Sequence, residues 1–569
     1  MENLLILKAR AGYTYKNRVI NSLNKSMRRY NTRKVVLVAC AFLMNHVTVL
    51  GQNTGGDTTN LGNVEVVTTY KPDVAESNKI SLQPTLEDPK IEPPVYSYKF
   101  PNVAYKPKAV YSPIDPVFIR PEPKEDLFDN YIEVGGGNFL SSYLDASIHN
   151  TQDKYYTYGL KLKHHAASAS KNPNQGLFSQ NQIKAYGLRE KGNDLYGELD
   201  YKRNVVHYYG YREEDHTFDL NDINQIYNDI NANLLWKFNK RRLNSNLLFD
   251  FNIFDKLGEN ENTVNFKNDY EFKVGKGHFH IDIGAMYTQL TETADYERIF
   301  VDVKPHYEFD YKKWKLDIGA NFNYVNDFTS IDEILPAPLL KAETYLVPKK
   351  LRLYLGTSGD LKKNTLHSMS YENLFLGNNL SYTNPYVWKF WGGMNGSFKR
   401  FVEYGIKLQQ ELISDQYFFV SDTNATRNFT IVSDNMNKFT FSGEMKFDVN
   451  QNVDIGFRGN VYSYNLEKEQ QAWHMPSYDA AAFATVRIAD KIYINGGYFA
   501  TGARKARNLH GTTFTLPAID DINLGAEYRY KKNISGFINV NNILNQNYQI
   551  WNNYRSQGIN VLAGITFSL

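Results

Sequence analysis

The sequence predicts an all-β fold: a transmembrane antiparallel up-and-down β-barrel of about 22 strands, preceded by a Pro-rich extended segment. Three observations predict it. From Asn130 onward, apolar and polar residues alternate with period two almost without a break. Tyrosine (42) and phenylalanine (34) are abundant, yet no apolar run is long enough for a helical membrane span. Short turns and longer connections follow one another along the chain, as they do when a barrel has its turns on one side of a membrane and its loops on the other.

The last stretch shows the pattern most clearly. Ile522, Leu524, Ala526, Tyr528 and Tyr530 alternate with Asp521, Asn523, Gly525, Glu527 and Arg529. A turn at 531–533 follows, and Ile534, Gly536, Ile538 and Val540 resume the period. The chain finishes with Val561, Ala563, Ile565, Phe567 and Leu569 on one face. Ile565, Phe567 and Leu569 are therefore expected to form the closing signal of the barrel, where the final strand meets the first. On the other face, polar side chains such as Lys389, Arg487, Asp521, Glu527 and Arg529 are expected to point into a wetted lumen, guiding a solute or cross-linking the wall.

The run from Asn541 to Tyr548, with Trp551, Tyr554, Gly558, Asn560, Val561, Gly564 and Phe567 behind it, resembles the C-terminal signature of TonB-dependent outer-membrane receptors. Two positions depart from it: Ile559, where that family usually has arginine, and Leu569 in place of a terminal aromatic. The resemblance implies a barrel in the outer membrane of a Gram-negative bacterium with both termini periplasmic.

Taken in order, the chain begins with an expected export signal over residues 1–51. Arg28, Arg29, Arg33 and Lys34 precede the apolar stretch 35–50, and Val49, Leu50 and Gly51 fit a cleavage site before Gln52. The charged region sits so far from Met1 that Met27 is the expected start. The lone Cys40 is expected to leave with the signal, so that the mature chain has no disulfide. Residues 52–79 read as a flexible leader. Within it, Val64, Glu65, Val66 and Val67 resemble the energy-coupling box or the first plug strand of the same receptors.

Residues 80–129 change character. Ten of the chain's 19 prolines fall there, at 84, 89, 93, 94, 101, 107, 113, 116, 121 and 123. Proline fixes φ and donates no amide hydrogen bond, so the segment is an extended strap of about 3.1 Å per residue, able to reach roughly 140 Å from Ile80 to Glu125. Receptors of the resembled family carry a globular plug in this place, and a strap this short and proline-rich is not one. It can lie in the lumen, follow the periplasmic rim or tether a partner.

The barrel occupies 130–569. Short turns are expected at 151–154, 190–193, 240–242, 275–277, 311–312, 349–350, near Phe401, and at 450–451, 490–491 and 531–533. Longer connections are expected at 166–180, 212–224, 258–262, 326–334, 360–384, 414–436, 466–475 and 501–511. Trp236 and Trp314 fall beside short turns, while Trp388, Trp391 and Trp551 fall beside long connections, as two interfacial girdles require. The connection 360–384, rich in Asn, Ser and Tyr, reads as a solvated surface loop or as a grip for glycans or peptides.

Chemistry is sparse. No phosphate-binding glycine loop and no nucleophile elbow occurs. His164 and His165 are adjacent and point to opposite faces of a strand, and His278 with His280 reads as an interfacial pair. No catalytic residue, metal or cofactor is expected, and the chain does not read as an enzyme. A net charge of +3 over 569 residues gives no case for nucleic acid. The expected partners are outer-membrane lipid, the barrel-assembly machinery during insertion, and an energy-coupling, periplasmic or surface protein. Two functions follow: transport or binding of a solute across the outer membrane, or a non-transport barrel acting as a scaffold or subunit of an assembly or secretion complex.

Overall fold

The computed structural model describes residues 130–150, 155–168, 177–210, 223–240, 243–292, 295–327, 330–348, 350–378, 383–399, 401–421, 428–507, 511 and 513–569. The expected signal, the leader with Val64 to Val67, and the strap at 80–129 lie outside the described residues.

Twenty-two strands form a single sheet, each antiparallel to its neighbours in sequence. The sheet closes on itself: the first strand, Asn130–Gly137, pairs with the second and also with the last, Asn560–Ser568. Beyond that register, the Leu569 amide donates to the Asn130 carbonyl at 2.8 Å, and the Asn130 amide returns the bond at 3.1 Å. The terminal residue is thus stitched into the seam, which leaves no open edge.

Side-chain alternation decides what each face meets. Phe251 (41%), Phe322 (42%), Leu408 (48%), Phe457 (49%) and Ile565 (49%) stand exposed on the outside. Asp145, Glu261, Asn323 and Asn541 are fully buried on the inside. A water-soluble fold buries the first set and hydrates the second. A bilayer-spanning barrel does the reverse, because lipid accepts hydrocarbon and no backbone group is left unpaired. At the seam, Gly135 faces Gly564, and the Phe537 ring lies over both. A Cβ on Gly564 would stand 2.2 Å from the Val134 carbonyl oxygen and 2.5 Å from that ring, so only glycine fits.

The two ends of the barrel differ. At the end where the chain enters, strands are joined at 150–155, 192, 241–242, 275–276, 312–313, 348–350, 399–401, 451–452, 489–491 and 532–533. At the other end lie the long connections 208–223, 362–385, 467–477, 502–518 and 542–559. Several expected connections differ. Residues 414–436 are mostly strand: Val402–Ser421 and Phe429–Asn450 run past the rim and pair as far as Ser421 with Phe429. Their Asn and Asp content hid a β-ribbon whose apolar positions meet other loops instead of lipid. The connection expected at 258–262 tightens to Leu257 and Gly258, and the one at 326–334 to 328–329.

Candidate functional site at the long-loop mouth

The connection 362–385 folds inward over the mouth. Its seven-residue helix, Leu366–Glu372, starts at Thr365, whose hydroxyl accepts from the Ser368 amide at 3.2 Å. The Ser368 hydroxyl accepts from the Thr365 amide in return, a capping box that lets so short a helix begin. Leu366 and Met369 are fully buried on one face, and Leu374, Phe375 and Leu376 follow. The solvated-loop reading of this segment is therefore corrected. Its Asn and Ser residues serve as caps, while its apolar residues are core.

That core is assembled from distant parts of the chain. Leu366, Met369 and Phe375 pack with Tyr208, Tyr227, Phe254 and Leu290 from the wall strands and their extensions. Tyr417, Phe419 and Phe429 join from the protruding ribbon, and Tyr554 joins from the last connection. The Phe375 and Tyr554 rings stack with centroids 3.5 Å apart. Gly210 makes room, since a Cβ there would meet the Tyr554 ring at 2.6 Å.

Charged groups of the wall hold the inward loop. Arg298 and Glu261, both without solvent exposure, pair at 3.2 Å. Arg298 also donates to the Asn364 carbonyl at 3.4 Å, and the second Glu261 oxygen accepts from the His367 amide at 3.1 Å. Asp229 receives the His367 ring at 3.1 Å and the Tyr371 hydroxyl at 3.2 Å. Lys256 donates to the Gly377 carbonyl at 2.8 Å, and the Tyr227 hydroxyl to the Leu374 carbonyl at 2.6 Å. Lys363 pairs with Asp302. Buried charges are tolerated only when matched in this way, so each contact is costly to break.

A second seal lies beside it. The buried His474 contacts the Phe419 carbonyl through Nδ1 at 3.0 Å, while its Nε2 accepts from the Asn552 amide at 3.4 Å. Nδ1 must then carry the proton and donate. Burial, reinforced by nearby Arg504, lowers the pKa of His474 to about 3, which keeps the ring neutral. Arg504 is buried and donates to the Ile550 carbonyl at 2.9 Å and to the Gln549 carbonyl. Trp551 packs in the mouth core against Phe419 and Phe429. It is therefore not a girdle residue, and Trp391 lies on the opposite face from Trp388, over Gly356. Trp236 does stand exposed on the outside.

The polar residues singled out in the sequence are dispersed around the wall. Lys389 pairs with Glu411 at 3.5 Å. Arg487 pairs with Asp454 at 3.2 Å and donates to the Gln451 carbonyl. Asp521 accepts from the Tyr548 hydroxyl at 3.1 Å. Arg529 lies 3.6 Å from Glu527 and sits over the Tyr493 ring. The structure does not bring these five together. Ile565, Phe567 and Leu569 stand exposed on the outer face of the seam.

Among the described residues no group of three or more His, Cys, Asp or Glu converges to hold a metal. His164 binds Ser142 and Asn181, whereas His165 packs between Tyr143 and Phe178. His278 pairs with Glu271 at 2.6 Å, and His280 stacks on His306. Only His278 of this pair meets a carboxylate; Asp282 and Asp317 pair with His306 instead.

No family model and no curated protein matches the sequence. Solved structures do match. The siderophore receptor PiuA of Acinetobacter baumannii aligns with a TM-score of 0.59 at 9% identity, over 77% of this chain and 81% of its own. The FrpB iron transporter of Neisseria meningitidis aligns at 0.62 and 8% identity, over 78% and 82%. The ferric enterobactin receptor of Pseudomonas aeruginosa aligns at 0.58 and 9% identity, over 78% and 81%. This chain has the barrel fold of TonB-dependent outer-membrane receptors. In this barrel the C-terminal signature has a structural reason. Asn542 and Asn545 adopt left-handed backbone, which asparagine tolerates. The Asn542 amide group donates to the Gln546 and Gln557 carbonyls at 2.8 and 2.6 Å, and Asn545 accepts from the Ile559 amide. The motif ties the last connection into a knot at the root of the closing strand. The neighbours named here are two receptors and a transporter.

Proposed function

We propose that the chain is a receptor-type transport barrel of the outer membrane, which binds a solute at its long-loop mouth and admits it when the inward loop 362–385 yields. The shared receptor-barrel fold supports the class. The observation that carries the reading is the pairing of Arg298 with Glu261 beneath a loop that spans the mouth. A ligand that competes for these contacts would release the loop, whereas a purely apolar plug would offer it no handle. Ferric chelates, named for the neighbours, are the first solutes to test.

In this reading both termini are periplasmic, residues 1–51 are removed on export, and the strap at 80–129 meets the periplasmic side, where an energy-coupling partner acts. Lys389, Arg487, Asp521, Glu527 and Arg529 line the solute's path.

Single-channel recording in planar bilayers tests the proposal. The native chain is expected to stay closed, and Arg298→Ala to produce open-channel currents. If neither form conducts and neither binds a ferric chelate, the transport reading falls. The scaffold reading then takes its place, favoured by the aromatic core that closes the mouth.

A further inference from the structure

The short-turn rim carries a broad arc of cations. Lys276, Lys312, Lys313, Lys350, Lys399, Lys491 and Lys531 are all exposed, and they lie in or directly beside six separate turns. Asp490 is the only carboxylate among the described residues of those turns. None of the seven lysines has a described carboxylate within ion-pair distance, although pairing is common elsewhere in the barrel. At the opposite end, Lys362 pairs with Glu372 and Arg507 with Glu469.

A second feature shows which way three of these cations look. Lys312 lies 5.3 Å from the Tyr311 ring centroid, Lys399 5.7 Å from Phe398, and Lys531 5.6 Å from Tyr530. Those three rings are the outward aromatic edge of the barrel, exposed at 55%, 65% and 64%. An ammonium seated over an outward ring stands where hydrocarbon gives way to headgroups. A protein partner would need the cations gathered on one side of the rim. These follow an arc of the rim from the turn at 275–276 to the one at 532–533, well over half of the cylinder, which a surrounding lipid annulus covers without a gap.

We propose that this rim is a binding surface for anionic phospholipid headgroups, in which turn lysines capture the phosphates of the adjoining leaflet while the neighbouring aromatics sit among the acyl carbonyls. Each lysine near such a surface adds attraction that salt screens within a Debye length. The surface is independent of the mouth, so it stands or falls apart from the transport reading.

The test uses the full chain in vesicles of phosphatidylethanolamine with about 30 mol% phosphatidylglycerol, doped with spin-labelled phosphatidylglycerol or spin-labelled phosphatidylcholine. The native barrel is expected to prefer the anionic probe by about threefold or more, falling toward unity in high salt. Replacing the seven lysines by glutamine should abolish the preference, and replacing them by arginine should keep it. A heat-modifiable band on unboiled gels shows that both variants are folded. Equal association of the two probes with the native chain would overturn the proposal, as would an unchanged preference in the glutamine variant. Retention of polyglutamate through the same lysines, without any lipid preference, would also overturn it and make the rim a protein-docking surface.

Discussion

The two ends of the barrel solve the same problem in opposite ways. At the mouth, polar and charged groups turn inward and are buried in pairs, as with Arg298 and Glu261, and aromatic rings close over them. At the turns, the cations point outward into solvent and the aromatics stand exposed beside them. One end behaves as the interior of a soluble protein and the other as the interface of a membrane. Substitutions should therefore be costly at the mouth and cheap at the rim.

The largest effect is expected from Arg298→Ala. It strands the Glu261 carboxylate without its partner in a site closed to water, which costs about 3–5 kcal/mol. Hydrogen exchange over 362–377 should accelerate by two orders of magnitude or more, with the barrel strands unaffected. Phe375→Ala removes the ring that stacks on Tyr554 and should cost about 3 kcal/mol of mouth stability by the same readout.

The next effect is one of pH. His474 has its pKa lowered from 6.5 to about 3 by burial and by Arg504, so the folded mouth accepts the neutral ring and the opened one takes up a proton. Its contribution is fully present above pH 6.5 and is lost as pH falls toward about 3, at about 1.4 kcal/mol per pH unit between those values. His474→Gln should flatten that slope in exchange measured from pH 7 down to pH 4. Thr365→Ala removes the helix cap and should cost about 1 kcal/mol. Smallest of all, Lys312→Gln at the rim should change thermal stability by less than about 0.5 kcal/mol.

The contrast also explains what the sequence can and cannot show. Along Ile519–Lys531 and Asn560–Ser568 each residue's face is fixed by a two-residue period, so the wall, the seam and the approximate strand number can be read directly. Lys389 and Glu527 fall on the polar face for the same reason. The mouth has no such period. Leu366, Met369 and Phe375 lie in a segment whose Asn, Ser and Tyr content resembles any exposed loop, and their partners are Tyr227, Phe429 and Tyr554, far away in sequence. Only the Thr365 to Ser368 cap is local enough to have been noticed. The ribbon at 414–436 was hidden in the same way, because its alternation serves a loop core and carries polar residues where a lipid-facing strand has hydrocarbon. Nothing in the sequence distinguishes Arg298 and Glu261 from the other charges of the wall, because the loop that buries them comes from residues far along the chain.

The chain's own loop closes the mouth, with its Leu374 buried in the mouth core and Leu257, in a neighbouring tight connection, exposed. Cysteines placed singly at these two positions, Leu374→Cys and Leu257→Cys, can be challenged with a membrane-impermeant thiol reagent in intact outer-membrane vesicles. Rapid labelling is expected at 257 and at least about a hundredfold slower labelling at 374, rising toward the 257 rate once Arg298→Ala is added. Equal labelling at both positions with Arg298 in place would contradict it.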